Sequence, residues 1–210
     1  MTKKVVIAGG TGFIGQYFQK QFETLGYKVL IIARKHPAIL WNDHERMVEA
    51  LENAEMVVNL AGKSVNCRYH EENKKEIIQS RTGTTKLLGD AVGECVNPPK
   101  LWINASTATI YRHAENRPMT EEDGEIGTGF SVDVAKRWES SFFQFSLPKT
   151  RQIALRIAIV LGPDGGVITP YKNLVTFGLG GVQGNGKQMF SWIHVEDLFQ
   201  IILFLQETLS

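Results

Sequence analysis

No apolar run in this sequence is long enough to cross a bilayer as a helix, which takes about 20 consecutive apolar residues. The N-terminal run is only Val5–Ala8 before glycines interrupt it, and the run Leu198–Leu205 is broken by Gln200. The first is also too short for the apolar core of a signal peptide. Cysteine is scarce. Cys67 and Cys95 stand alone and far apart, which excludes a disulfide framework and a cysteine-rich metal cluster. Two reduced thiols suit a cytoplasmic setting. An excess of one charge is lacking too: the net charge is +1, so no strong field draws in nucleic acid or an anionic membrane surface. Internal repeats and low-complexity segments are absent. The expectation is a soluble cytoplasmic protein that acts on a small molecule, with no metal and with no nucleic-acid or membrane partner.

What is present is ordinary globular material. Hydrophobic residues make up 43% and charged residues 21%, enough apolar content for one sizeable core in 210 residues. One domain spanning residues 1–210 is therefore expected. Apolar runs alternate with helical periodicity. Strands are predicted at Lys4–Ala8, Lys28–Ala33, Ala38–Trp41, Met56–Leu60, Leu101–Ala105 and Gln152–Val160, with a further one within Met189–Val195. Between them, Ile14, Phe18, Phe22 and Leu25 share one helical face, and Gly26 fits a helix stop. Further helices are predicted at His44–Leu51, from about Glu71 to Val92, around Val134–Phe145, from Thr169-Pro170, and from about Asp197 with that residue as the cap. His194 is placed in a hydrogen-bonded turn, and Arg112–Thr128 over the surface. Near-continuous apolar strands alternating with helices imply a doubly wound parallel sheet of Rossmann type, covered on both faces.

The segment KVVIAGGTGFIGQYF sets glycines between the first strand and the first helix. Gly10, Gly12 and Gly15 fit GxGxxG, and Gly9, Gly12 and Gly15 fit GxxGxxG. Such glycines permit a tight turn, close approach of a pyrophosphate to the backbone, and close packing of helix on strand. The helix N-terminus supplies free N–H groups to the anion. The second strand ends in Ala33-Arg34-Lys35, with no carboxylate to accept from a ribose 2′-OH. Two cations there suit a 2′-phosphate, so NADP(H) is expected in preference to NAD(H).

These pieces, together with NLAG at Asn59–Gly62, STATIY at Ser106–Tyr111 and FSWIHVEDL at Phe190–Leu198, resemble the extended short-chain dehydrogenase/reductase family. The runs NLAGKSV, QSRTGTTKLL, RWE, LRIAIVLGPDGG and GLGGVQGNGKQMFSWIHVEDL are similar to an atypical branch of epimerase/dehydratase-like proteins with unassigned substrates. The resemblance implies a set of cofactor contacts. Gly9, Gly12, Phe13, Ile14 and Gly15 cradle the pyrophosphate, and Leu60, Ala61 and Gly62 line the adenosine-ribose side. Ser80 or Arg81 covers the cofactor, and the stretch containing Arg156 and Ile159 leads to the nicotinamide. The family also carries a C-terminal substrate lobe, most of which is expected to be lacking here. Apolar surface left uncovered would then favour a homo-oligomer.

The resemblance further implies a catalytic serine or threonine, a tyrosine and a lysine, the last two spaced YxxxK so that both face the cofactor. Thr107 falls at the first position. Counting from it puts Val132 where the tyrosine would be and Lys136 at the lysine; a shift by one residue gives Ser131 and Ala135. Neither register supplies a phenol. Tyr111 could serve as the acid instead, or Thr107 and Lys136 could act with a water, or there is no turnover. Two functions stay open: hydride transfer on a hydroxyl or carbonyl of a small, sugar-like substrate, and non-catalytic NADP(H) binding as a sensor or scaffold.

Overall fold

Val5 and Ile7 face one side of their strand and Val6 and Ala8 the other, and all four are fully buried. Successive strand residues point to opposite faces, so a strand apolar at every position has to be covered twice. A computed structural model, describing residues 2–163, 165–182 and 184–208, shows how the chain does this. Strands β1 (Lys4–Ala8), β2 (Lys28–Ala33), β3 (Ile39–Leu40), β4 (Met56–Asn59), β5 (Leu101–Thr107) and β6 (Arg151–Ile157) form one six-stranded sheet in the order β3-β2-β1-β4-β5-β6. Every pairing in it is parallel.

Helices α1 (Phe13–Thr24) and α6 (Val195–Glu207) cover the Val5 face with Phe18, Phe22, Leu198, Phe199 and Ile202. The rings of Phe22 and Phe199 meet edge to face at 4.9 Å. Helices α2 (His44–Leu51), α3 (Glu71–Glu94) and α4 (Phe130–Phe143) cover the Val6 face with Met47, Leu51, Leu88, Val92 and Phe142. On that side Trp102 and Phe142 pack edge to face at 4.8 Å. The chain winds outward from β1 to β3, then returns to β4 and winds the opposite way. This leaves a crevice at the carboxyl ends of β1 and β4, where ligands bind in sheets of this kind.

The expected doubly wound parallel sheet is therefore present, with several elements differing in detail. Leu25 is 53% exposed and caps the C-terminus of α1 instead of extending its buried face. Gly26, at φ +81°, then turns the chain into β2. The single strand expected at Gln152–Val160 divides at Ala158. Its second part, β7 (Ile159–Leu161), leaves the main sheet and pairs in parallel with β8 (Trp192–His194). The run holds no glycine or proline to mark where the strand changes sheets.

In α5 (Ile168–Thr176), Pro170 is the third residue, not the first, though still in the turn whose N–H groups have no partner inside the helix. Helix α6 begins at Val195, not Asp197. His194 caps it, Nδ1 accepting from the Glu196 N–H at 3.3 Å, and Asp197 lies in the first turn. Asp164 and Gln183, one position in each of two family-like motifs, lie outside the described residues.

Phe22 is fully buried against Tyr27 and Phe199. Phe22→Ala should cost about 3–5 kcal/mol, and Leu25→Ala should stay within about 0.5 kcal/mol, in urea unfolding monitored by circular dichroism.

Candidate functional site

The turn after β1 is built on close backbone approach. Gly9 has φ +78°, and a Cβ there would come within 2.8 Å of the Ala61 backbone at the exit of β4. A Cβ on Gly15 would stand 2.5 Å from Gly10 Cα, so α1 reaches the strand only with glycine at that place. Gly12 is different. Its φ is −81°, and the one heavy atom near a Cβ would be the Gly9 carbonyl oxygen at 3.6 Å. Neither backbone strain nor packing demands glycine at position 12; the space in front of it is open to a group that approaches the backbone.

No side chain caps α1, and its first turn holds no acidic residue. The N–H groups of Phe13, Ile14 and Gly15 thus mark the positive end of the helix dipole, which favours an anion. Ile14 is anchored in the core beneath. The Phe13 ring is wedged against the loop after β7: a Cβ on Gly162 would lie 2.7 Å from it, and one on Gly165 2.8 Å.

Arg34 and Lys35 follow β2 at the same edge of the sheet. Both are exposed, and neither makes an ion pair or side-chain hydrogen bond among the described residues. The exit of β4 is held by a buried polar cluster. Asn59 Nδ2 donates to Asn104 Oδ1 at 2.7 Å and to Thr85 Oγ1 at 3.1 Å, while Asn59 Oδ1 accepts from the Ala61 N–H at 3.1 Å. The indole N–H of Trp138 donates to Thr85 Oγ1 at 3.0 Å. Leu60, Ala61 and Gly62 leave the strand from this anchor.

Asn59, Thr85 and Trp138 fall inside the quoted family-like motifs, but none of the four had a role assigned from the sequence. The available signal was MVVN and LWIN, two apolar strands that each carry an asparagine, at what prove to be paired positions. Ser80 and Arg81 act on the same exit from α3. Ser80 Oγ accepts from the Lys63 N–H at 2.8 Å, and Arg81 Nη1 donates to the Lys63 carbonyl at 3.2 Å. The Arg81 guanidinium lies over Trp138, and burial lowers its pKa.

At the ends of β5 and β6 a second network forms. Thr107 is turned inward on its own chain: its Oγ1 accepts from the Thr109 N–H at 3.2 Å and shares a hydrogen bond with Thr109 Oγ1 at 2.9 Å, capping a short 3-10 turn at Ala108–Ile110. Ser106 is the buried hydroxyl, and it donates to Glu139 Oε1 at 2.6 Å. Arg156, paired across the sheet with Ser106, donates to both Glu139 oxygens, from Nε at 3.0 Å and Nη2 at 2.9 Å. Its Nη1 donates to Tyr111 Oη at 2.7 Å.

Burial opposes charge on Glu139, yet the hydrogen bonds from Arg156 and Ser106 hold its carboxyl below the ordinary value. The bond to Glu139 and, against burial, that to Tyr111 raise the pKa of Arg156. The donors of Arg156 are thus directed at protein groups, where the resemblance implied a stretch running to the nicotinamide. Ile159 sits on the other side of the Ala158 break, at the start of β7 and 41% exposed.

Val132 is buried against Ile110 and Ala135, and the Tyr111 ring packs on this cluster. Lys136 is exposed and makes no side-chain hydrogen bond or ion pair among the described residues. It does not join the Thr107 or Tyr111 networks. The loop expected at Arg112–Thr128 does lie over the surface, shaped by Arg112–Glu125, Arg117–Asp123 and Arg117–Glu125 pairs. It folds back so that Tyr111 and Ile126 bridge, and any side chain on Gly124 would collide with the Tyr111 ring.

Beyond β7 an open cavity of about 350 Å³ is lined by Leu161, Val167, Ile168, Tyr171, Gln188 and Phe190. Among the described residues no three His, Cys, Asp or Glu side chains are grouped to hold a metal, and no helix is long and apolar enough to cross a membrane.

A parallel sheet in this strand order, with a glycine cradle where the winding reverses, defines a Rossmann-type α/β protein. More narrowly, the chain belongs to the NAD dependent epimerase/dehydratase family, whose model matches residues 5–210. It is 32% identical over 211 residues to the mouse (Mus musculus) "Epimerase family protein SDR39U1", covering 97% of this chain and 70% of that protein. The crystal structure of human SDR39U1 (isoform 2) with NADPH superposes with a TM-score of 0.88 at 30% identity, over 98% of this chain and 70% of that one. A nucleoside-diphosphate sugar epimerase from Corynebacterium glutamicum superposes with a TM-score of 0.80 at 29% identity, over 97% of this chain and 43% of that one.

Glu139→Gln should destabilise the protein by about 1–3 kcal/mol at neutral pH, through loss of charge-assisted hydrogen bonds. Because the folded-state pKa of Glu139 is depressed, its contribution is present above the unfolded carboxylate value and is lost as pH falls through the folded one. The gap in thermal midpoint between wild type and variant should therefore close on acidification. A gap that persists at the acid end would contradict the assignment.

Proposed function

We propose that this protein binds NADP(H) across the carboxyl edge of the sheet and transfers a hydride to or from a hydroxyl or carbonyl carbon of a small molecule. The observation that carries this reading is the pairing of an open backbone cradle at Gly12 with two cations at the end of β2, Arg34 and Lys35, that have no ion pair or side-chain hydrogen bond among the described residues. The cradle suits a pyrophosphate, held by the N–H groups of the α1 first turn over Gly9, Gly12, Phe13, Ile14 and Gly15. The cations suit a 2′-phosphate on the adenosine ribose, beside the Leu60–Gly62 exit from β4. NADPH in the structure of the human relative supports the same choice.

When bound, the cofactor supplies a hydride at nicotinamide C4. The chain's own part is to orient the reacting oxygen and move its proton. Thr107 and Tyr111, both near the end of β5, take this part. Lys136 enters only if the exposed face of α4 is brought to the site. Ser80 and Arg81 support the cofactor through the Lys63 backbone, and Ile159 belongs to the stretch leading to the nicotinamide.

A second reading is an NADP(H)-binding protein without turnover. It is favoured by Val132, an apolar side chain in apolar packing at the position where the family resemblance implies a tyrosine. A panel of aldehydes and ketones offered to the NADPH-bound protein separates the two. Oxidation of NADPH that weakens in Thr107→Ala supports the first reading, and binding without oxidation supports the second.

Arg34→Asp should weaken NADPH binding roughly 10- to 100-fold, the worth of one or two charge-assisted hydrogen bonds, while NADH binding changes little. Isothermal titration of both cofactors checks this. An unchanged NADPH-to-NADH ratio would remove the 2′-phosphate assignment.

A further inference from the structure

We infer that Arg156, clamped by Glu139, is the positioning cation for Tyr111 as proton donor, in the part that the family resemblance would give to a lysine one turn from a tyrosine. This rests on the reading of the protein as an NADP(H)-dependent catalyst. Tyr111 Oη accepts a hydrogen bond from Arg156 Nη1 at 2.7 Å, and the guanidinium carbon lies 5.1 Å from the ring centre. Arginine is a donor only. The phenol therefore meets Arg156 with a lone pair, and its own proton is left to point elsewhere. No acceptor among the described residues takes that proton.

The same bond fixes where the phenol oxygen stands. The guanidinium is fixed in turn. Both oxygens of Glu139 are taken up by its fork, and Ser106 binds the same carboxylate at 2.6 Å. Arg156 holds its own proton more tightly than an ordinary arginine, so it does not itself act as the acid. The ring is seated on Ile110 and Val132 and closed over by Gly124. Tyr111 thus packs against Val132, and Lys136, exposed and without an ion pair among the described residues, is not needed.

The step balances. In the direction of reduction, the substrate carbonyl carbon gains a C–H bond from the hydride of the reduced nicotinamide. The carbonyl π pair moves to oxygen, which takes the Tyr111 proton. The carbonyl is reduced to an alcohol and NADPH is oxidised to NADP⁺. The tyrosinate beside Arg156 then recovers a proton from water.

Tyr111→Phe keeps the ring and removes only the hydroxyl. With a panel of simple aliphatic and aromatic aldehydes, it should lower kcat roughly 100- to 10,000-fold, leaving KM and the NADPH dissociation constant nearly unchanged. Arg156→Lys should restore much of the rate that Arg156→Gln loses. The double variant Tyr111→Phe/Arg156→Gln should be no slower than Tyr111→Phe alone, since Arg156 acts through the phenol.

A readout without turnover uses cofactor-free protein labelled with ¹³Cζ-tyrosine. The resonance that vanishes in Tyr111→Phe should move in Arg156→Gln and stay near its original place in Arg156→Lys. Wild-type turnover retained in Tyr111→Phe, additive losses in the double variant, or a Tyr111 resonance indifferent to Arg156 overturns this inference and leaves the cofactor reading standing. NADPH bound but never oxidised by wild type overturns both. If Arg156→Gln does not fold, the Tyr111→Phe kinetics alone decide.

Discussion

The carboxyl edge of the sheet depends on one buried hydrogen-bond hub. Asn59 on β4 and Asn104 on β5 face each other across the ladder, and both are fully buried. Asn59 donates to Asn104 and to Thr85 of α3, and the Trp138 indole of α4 donates to Thr85 from the other side. Two strands and two helices are thereby tied at one point by groups that would each be costly to bury alone. The hub also fixes the first residues beyond β4, because the remaining Asn59 oxygen is bonded to the Ala61 N–H. Gly9 approaches that same backbone from β1. The floor of the crevice is therefore set by an amide pair before any ligand arrives.

A second polar system lies one strand away and is built from charge. Arg156 and Ser106 sit near the ends of β6 and β5, Glu139 reaches them from within α4, and Tyr111 lies just beyond. The Arg156 and Glu139 side chains are only 26% and 14% exposed, so their charges are largely withdrawn from water. A pair of this kind costs more to desolvate than a surface pair and returns that cost through directed hydrogen bonds. The outer loop reverses the arrangement. Its Arg112, Arg117, Asp123 and Glu125 pairs are solvated and individually weak, and they serve to hold a shape over the Tyr111 ring.

Much of this was legible in the sequence, and the limits have physical causes. Strands apolar at every position announced a sheet covered on both faces, and β1, β2 and α2 fall where periodicity put them. The glycine turn was readable because Gly9 and Gly15 are demanded by backbone geometry that no other residue meets. The division of the last long run at Ala158 was not, because pairing partners choose a strand's sheet and those partners are distant in sequence. Glu139 and Arg156 were similarly opaque. Nothing in the sequence joins them: the register of β5 against β6 pairs Ser106 with Arg156, and the packing of α4 brings Glu139 to both. Lys136 was readable as a position in a spacing, but spacing does not fix which way α4 turns its faces. Packing of Val132, Ala135 and Trp138 decides that, and it turns Lys136 to solvent.

Phe13 belongs to two structures at once. Its backbone N–H is part of the positively polarised first turn of α1, and its ring fills the hollow left by Gly162, Gly165 and Gly166 in the loop between β7 and α5. Those three glycines have no side chains of their own to give the loop a shape, so the aromatic ring serves as its mould. The two ends of the crevice are consequently not independent parts. The α1 turn cannot shift without carrying the ring with it, and the ring cannot shift without reshaping the loop that enters α5. By the reciprocity of linked equilibria, whatever steadies either one steadies the other by the same free energy.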